Sequence, residues 1–309
     1  MVAKRNNESH TGFMFKVPSV GDSRQVYYFR SGAAASKLAP SDLPLELLSD
    51  SRVFHVTGIF PSLSIQNCQT LQSPLRRAKK SGLIVSLDVN YRSVLWDRED
   101  ARAVLHDLIK YVDIVFGDLE ELNLLLDADA ENVIDVLCAV IDLGPQEVIL
   151  KQAELGATAM IDNQVWRQEI IEACVADTVG AGDAFVAGYL SGLLVGLPGQ
   201  LRLKRAVACG ALACQDLGDW EGALSRIELE KLLSSLPVRS LNEIRPPWSG
   251  FKIVPLVVID EAEHVMPLMD ALEAGGISII EIGLRTPVAL NAIRMAVNRG
   301  SFTVAAGAL

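Results

Sequence analysis

Residues Asp177 to Phe185 read DTVGAGDAF. Two acids, Asp177 and Asp183, bracket three small residues, Gly180, Ala181 and Gly182. An apolar helical pattern follows at once through Phe185, Val186, Tyr189, Leu190, Leu193 and Leu194. Small residues let the backbone come close to a bulky ligand. The start of a helix offers unpaired N–H groups and a positive dipole end, and both favour phosphate. An acid among those N–H groups can take a proton from an attacking hydroxyl. A loop, an anion site and a base in so short a run point to phosphoryl transfer. The competing reading is an ordinary capped helix after a glycine-rich turn. No Gly-Lys-Ser/Thr follows, so this is not a Walker loop, and the glycine spacing does not fit a dinucleotide fingerprint.

The elements that must hold these residues follow a clear rhythm. Gly12 to Val17 and Gln25 to Arg30 alternate as two strands, with a polar turn at Gly21-Asp22. From about Val53, short β-rich runs (FHVTGI, LIVSLDVN, VDIVFG, EVILK) alternate with helical stretches such as Leu71 to Lys80 and Arg102 to Tyr111. Near-continuous apolar strands between helices predict a mostly parallel sheet covered on both faces. Ligands of such sheets bind beyond the carboxyl ends of the strands. A strand pair follows, Ala157 to Ile161 and Val165 to Glu169, turning at Asp162-Asn163. Helices are then expected from the Asp177 loop to about Val195, over Leu201 to Gln215, and over Ile227 to Leu236, with GDWEGA between the last two.

Pro237 to Gly250 reads as a linker. Beyond it a second α/β rhythm starts: strand VPLVVI, helix Glu261 to Ala274, strand ISIIEIGL, helix Pro287 to Asn298, then FTVAA. Some sixty residues of this kind are far fewer than the roughly 250 of a closed α/β barrel. The expected organisation is a first domain over 1–236, a linker over 237–250 and a partial barrel over 251–309.

Bulk properties narrow the function. The 309 residues allow one large domain or two unequal ones, and 50% are hydrophobic, enough for a sizeable core. A formal charge of −10 argues against nucleic acid or an anionic membrane as the main partner. Cys68, Cys138, Cys174, Cys209 and Cys214 are scattered without a CxxC pair, which favours reduced thiols in a cytoplasm. MVAKRNNESH lacks the apolar core of a signal peptide, and no apolar stretch is long enough to span a bilayer. His55 falls inside a strand run, and His106 and His264 have no ligand-spaced partner.

These runs resemble the ribokinase-like (PfkB) family of sugar kinases, whose second signature DTVGAGDAF matches. The likeness spans about Thr11 to Leu236. Within the family, TGFMFK, VYYFRSGAAAS, HVTGI, SLDVNYRSVLW and GDWEGA are similar to the 2-keto-3-deoxygluconate kinases. The tail IVPLVVIDEAEHVMPLMDALEAGGISIIEIGLRTP resembles the start of 2-keto-3-deoxy-6-phosphogluconate aldolase. The resemblance implies a ribokinase-like α/β fold, a mostly parallel sheet flanked by helices with a small β lid, plus an incomplete (β/α) barrel fragment. It also implies ATP and Mg2+ as co-substrate and metal, a sugar acid as acceptor, and leaves open a homo-oligomer formed through the lid strands.

Residue by residue, the resemblance makes Asp183 the catalytic base and gives the amides of Gly180, Ala181, Gly182 and Asp183 to the anion hole. Asp177 would hold the loop, solvate the metal or simply cap the helix. Tyr28, Arg30, Ile59 and Arg92 take substrate-contacting positions. Arg92 follows SLDVN at the ligand end of the sheet, and a guanidinium fork suits the carboxylate of a sugar acid. Tyr28 lies two residues before Arg30 and shares its strand face. Asp118 and Glu121 stand where the family has Asn-x-x-Glu, with Glu121 acting on magnesium through water rather than as a direct ligand. Lys151 and Gly156 fall in a nucleotide-facing turn in which Ala153 replaces a usual Gly. Gly218 falls near the adenine. In the tail, Glu281 and Arg285 match the aldolase acid/base and its anion-binding arginine.

Three departures stand out. Met14 replaces a tyrosine that touches substrate in the deoxygluconate kinases. The opening strand–helix region of the family has no counterpart before Met1, which reads as an N-terminal truncation. The aldolase Schiff-base lysine falls beyond Leu309, so lyase activity is not expected from this chain. The reading is therefore an ATP-dependent 2-keto-3-deoxygluconate kinase. The alternatives are another kinase of the family, fructokinase-like, or a non-catalytic fragment of a kinase–aldolase fusion.

Overall fold

The computed structural model describes residues 5–17, 25–42, 45–171, 173–234, 239–240 and 254–307. The turn expected at Gly21-Asp22, and nearly all of the linker expected over 237–250, lie outside the described residues. The chain divides into two compact units, Met1–Leu241 and Asn242–Leu309.

The first unit opens with an antiparallel hairpin, β1 (Phe13–Val17) and β2 (Gln25–Phe29). Met14 pairs with Tyr28, so the two share one face, while Phe13, Phe15, Tyr27 and Phe29 are exposed on the other. A parallel run then builds the sheet: β3 (Val53–Thr57), α1 (Ile59–Ser62), α2 (Ile65–Lys80), β4 (Ile84–Asp88), α3 (Arg98–Ile109), β5 (Ile114–Gly117), α4 (Leu119–Leu126), α5 (Val133–Asp142) and β6 (Glu147–Lys151). Two antiparallel strands extend it, β7 (Ala157–Ile161) and β8 (Gln164–Gln168). They turn at Asp162 and Asn163, both at positive φ (52° and 58°), the backbone a two-residue hairpin of this hand demands. Helices α6 (Ala181–Leu194), α7 (Gly199–Ala213) and α8 (Arg226–Leu233) follow, and β9 (Arg239–Ser240) closes the sheet. The strand order is β3-β4-β5-β6-β7-β8-β9.

Strand alternation splits the core into two layers. Val85, Leu87, Val148 and Leu150 face Leu75, Leu105, Leu122 and Val136 on one side. Phe116, Ile149 and Ala159 face Phe185, Tyr189 and Leu203 of α6 and α7 on the other. The α6–α7 contact is close at its glycines: a Cβ on Gly188 would stand 2.9 Å from both the Arg205 carbonyl oxygen and Cys209 Sγ.

Two helices start earlier than periodicity predicts, because polar caps rather than apolar faces set their beginnings. Ser64 Oγ accepts from the Asn67 amide and starts α2 at Ile65, and the helix runs through Pro74. Asp97 accepts from the Asp100 amide and starts α3 at Arg98.

The second unit is a β-α-β-α-β run. β10 (Leu256–Val257), β11 (Ile279–Gly283) and β12 (Thr303–Gly307) form a parallel sheet, with α9 (Val265–Ala274) and α10 (Ala289–Arg299) between them. Val265, Met269, Ile280, Ile282, Ala292 and Ala296 make its core. The strand expected over VPLVVI shortens to its two central residues. No helix among the described residues is long and apolar enough to cross a membrane.

Candidate active site

The parallel strands end on one side of the sheet, and a cleft of about 900 Å³ opens there. Its lining brings together residues far apart in sequence: Tyr28 and Arg30 from the hairpin, Ile59 from α1, Arg92 after β4, Asp118 and Glu121 from α4, and Gly180, Gly182 and Asp183 from α6. Met14 lines it too. The Arg30 guanidinium lies 4.3 Å from the centre of the Tyr28 ring, a cation–π contact that orients it. Arg92 is exposed to the cleft.

Helix α6 begins at Ala181, and Gly180 is its N-cap. Gly180 has φ +82°, and a Cβ there would stand 2.3 Å from the Asp219 carbonyl oxygen, so only glycine fits. No side chain caps the helix. The Ala181 amide donates to the Thr178 carbonyl at 3.3 Å, so that position keeps its N–H within the protein. The Gly182 and Asp183 amides have no such partner among the described residues. A Cβ on Gly182 would meet nothing within 4 Å, and that open space is the kind of cradle a bound anion fills. Behind the loop, buried Asp177 accepts from the Val179 amide at 3.2 Å, and the Asp177 amide donates to the Cys214 carbonyl. Asp177 thus braces the loop.

Asp183 is open to the cleft. Burial and neighbouring Asp88 push its carboxyl above the usual carboxylate range, while Lys151, Arg92 and His55 pull it part of the way back. His55 shares a hydrogen bond with the Ser86 hydroxyl.

Asp118 and Glu121 form a capping box at the start of α4. The Glu121 amide donates to Asp118 Oδ1 at 2.8 Å, and the Asp118 amide donates to Glu121 Oε2 at 2.9 Å. Aspartate therefore does here the capping work that asparagine can also do. Glu121 is buried, and its Oε1 accepts from the Tyr91 amide at 2.9 Å, which ties the loop after β4 to α4. Burial raises its carboxyl, Lys151 opposes, and Asp118 and Asp88 add to the rise, leaving Glu121 above the ordinary range. Lys151 Nζ donates to Asp88 Oδ1 at 2.7 Å and lies 3.6 Å from Glu121 Oε2. Burial alone would lower Lys151, but Asp88 and Glu121 outweigh it and hold it above its ordinary value.

A second cavity of about 640 Å³ adjoins the first through Lys151, Ala153, Thr178 and Gly182. Its walls are mostly apolar, with Ile171, Phe185, Val207 and Ala211 among them. Gly156 lines it at φ +88°, where a Cβ would stand 2.1 Å from the Gln168 carbonyl oxygen. Ala153 sits at φ +45°, a left-handed backbone that explains why glycine suits this position. Gly218 lines neither cavity; its neighbour Asp219 lines the first. In the second unit, Glu281 is half-buried in β11 and Arg285 is exposed just past the end of that strand.

Among the cleft residues that sequence reasoning passed over are Asp88 and Asn90, at and just past the end of β4. Asp88 is 2% exposed at the end of β4. Asn90 has φ +40°, and its Oδ1 is buried without a hydrogen-bond partner among the described residues. Such an orphaned acceptor suits a ligand hydroxyl or a metal-bound water. Together with the amides at Gly182 and Asp183 and the acids around Lys151, the cleft fits a polyphosphate with a divalent cation.

Comparison with known proteins agrees with this chemistry. Residues 2–224 match the pfkB family carbohydrate kinase profile, and residues 248–309 match that of KDPG and KHG aldolase. A 2-dehydro-3-deoxygalactonokinase from Haloferax volcanii is 32% identical over 210 residues, 67% of this chain and 65% of that protein. A 2-dehydro-3-deoxygluconokinase from Bacillus subtilis is 31% identical over 240 residues, 76% of this chain and 72% of its own length. The chain thus spans about two thirds of the length of the curated relatives it matches. Among solved structures, a putative ribokinase II from E. coli in complex with ATP and Mg2+ superposes with a TM-score of 0.64 at 26% identity, covering 69% of this chain and 68% of the other. With the sheet order, the glycine-capped α6 and the acid-lined cleft, these likenesses place the chain in the PfkB family of carbohydrate kinases.

Proposed function

We propose that this chain transfers the γ-phosphoryl group of ATP to the primary hydroxyl of a sugar acid, 2-keto-3-deoxygluconate, giving its 6-phosphate. One observation carries the reading: a single cleft holds Asp183, the start of α6 without a side-chain cap, and two arginines, Arg30 and Arg92. Asp183 accepts the proton of the attacking hydroxyl at its carboxylate. A weak base suffices, because a loose transition state needs little early proton transfer. The Gly182 and Asp183 amides and the dipole of α6 stabilise the charge that develops on the transferring group. Arg30 and Arg92 hold the acceptor carboxylate, Tyr28 orients Arg30, and Ile59 packs on the carbon chain. Glu121, through water, and Asp88 would hold magnesium, which neutralises phosphate charge when bound. The apolar second cavity takes the nucleobase, with Gly156 and Lys151 at its mouth.

Pairing of two copies through the hairpin completes the reading. It is supported by the stacked aromatic face of Phe13 and Phe29, with ring centres 4.8 Å apart. The test is substrate specificity. Arg92→Ala is expected to raise KM for 2-keto-3-deoxygluconate about tenfold or more, the worth of one charge-assisted hydrogen-bond pair, and to leave KM for fructose unchanged. An equal rise for both sugars would refute the sugar-acid assignment. Loss of neither activity in Asp183→Asn would refute the kinase.

A further inference from the structure

Two carboxylates in the cleft are almost inaccessible. The side chain of Asp88 is 3% exposed and that of Glu121 is 8% exposed. One cation, Lys151, stands between them, 2.7 Å from Asp88 Oδ1 and 3.6 Å from Glu121 Oε2. Buried charges of like sign need a counter-charge close by, or they destabilise the fold.

The three groups differ in freedom. Glu121 cannot leave, since its two oxygens hold the amides of Tyr91 and Asp118. Asp88 is fixed at the end of β4 by its strand pairing with Thr57 and Phe116. Lys151 alone has a long flexible stem and a compact ammonium. Its side chain lines both cavities, and the open space beside Gly182 lies on the lining common to both. The acids are therefore the fixed part of the arrangement and the ammonium the part that can move.

The geometry points to Lys151 as an internal stand-in for the divalent cation: it neutralises Asp88 and Glu121 while no metal–nucleotide is bound, and swings to the phosphates when one arrives. This deepens the kinase reading and rests on it. It accounts for a lysine placed where a metal would be expected. It also makes metal and nucleotide bind as a pair. A bare divalent ion must displace the ammonium with nothing to receive it, whereas a metal–nucleotide brings the anion to which the ammonium moves.

The consequence has opposite signs for two ligands. Lys151→Met should bind free Mn2+ about tenfold or more tightly than the wild type, because two carboxylates lose their resident cation. The same variant should bind Mn2+·ADP about tenfold more weakly, because the phosphates lose a donor. Lys151→Arg keeps the charge and should leave free Mn2+ binding as weak as in the wild type. Adding Asp88→Asn to Lys151→Met should abolish the gain. That double variant leaves intact the exposed Glu261, Glu263 and His264 of the second unit, so Mn2+ held there cancels from the comparison.

Mn2+ binding by electron paramagnetic resonance, with and without ADP, reads both effects. If Lys151→Met fails to fold, recovery of its thermal transition by millimolar Mn2+ supports the inference, and absence of recovery overturns it. Weaker or unchanged binding of free Mn2+ by folded Lys151→Met, in a wild type that does bind Mn2+·ADP, overturns the inference alone. A wild type that binds no Mn2+·ADP overturns the kinase reading as well.

Discussion

The two glycines at the start of α6 predict opposite failures. Gly180→Ala would force an alanine to φ +82°, a left-handed backbone costing about 1–2 kcal/mol. Its Cβ would stand 2.3 Å from the Asp219 carbonyl oxygen, about 1 Å inside ordinary contact. Relieving that overlap moves either the Asp219 segment or the loop before α6, at a further ~1–3 kcal/mol. The sum is about 2–5 kcal/mol, or a melting transition lowered by roughly 5–15 °C. A loop displaced by about 1 Å costs on the order of a hundredfold in turnover. Gly182→Ala meets nothing within 4 Å and lies in a helix, where alanine gains roughly 0.5–1 kcal/mol. Its transition should stay or rise slightly. Yet its methyl group occupies the cradle, so KM for ATP should rise about tenfold or more. Differential scanning calorimetry and a coupled ADP-release assay separate the two. Wild-type turnover and stability in Gly180→Ala would show that the close approach to Asp219 does not shape the site. Unchanged ATP dependence in Gly182→Ala would show that phosphate does not lie against that residue.

Other expectations follow from the same geometry. Asp183→Asn should lower kcat by roughly 10²–10⁴, the usual worth of a positioned base. Because burial and Asp88 raise the Asp183 carboxyl, and the ionised form is the active one, wild-type kcat/KM should fall with acidification starting above the normal carboxylate range; a pH–rate profile without that acid limb would refute the role. At the opposite end of β6, Glu147 accepts from Arg202 at 2.9 and 2.8 Å and from the Tyr189 hydroxyl at 2.7 Å. Arg202→Ala leaves this half-buried carboxylate with the Tyr189 hydroxyl as its donor and no cation, and should cost about 1–3 kcal/mol by chemical denaturation, with turnover per folded molecule unchanged. Ala153→Gly relieves a left-handed alanine and should raise stability by up to about 1 kcal/mol, measured the same way; a loss would show that the turn is unstrained.

Much of this architecture was legible in the chain. The β-rich runs of the first unit marked its parallel strands to within about two residues at each end, because strands buried on both faces cannot hide their apolar content. The run DTVGAGDAF marked the loop before α6 and the acid at its start, since close backbone approach leaves small residues as its trace. Asp88 and its ion pair with Lys151 were not legible. Sixty-three positions separate the partners, and only the parallel register of β4, β5 and β6 brings them together. Asn90 looked like the tail of a strand. The capping box at Asp118 could have been found, because Asp-x-x-Glu before an apolar run is its signature. The earlier starts of α2 and α3 were hidden for a related reason: Ser64 and Asp97 announce a helix by one hydrogen bond each, while the first turn behind them is polar.

The glycine contact between α6 and α7 bears on the chemistry more than its distance from the cleft suggests. The carboxylate of Asp183 rides about 5 Å off the helix axis, so a roll of some 10° carries it nearly 1 Å sideways. Gly188 lies against the backbone of Arg205 and Ala206 as well as Cys209 Sγ, and backbone cannot bend aside as a side chain can to absorb such a roll. Aim at one end of the helix is thus set by contact about one and a half turns further along. A methyl group added at Gly188 would act as a wedge that turns the whole rod, and its effect would appear as a misaimed carboxylate rather than as a lost one.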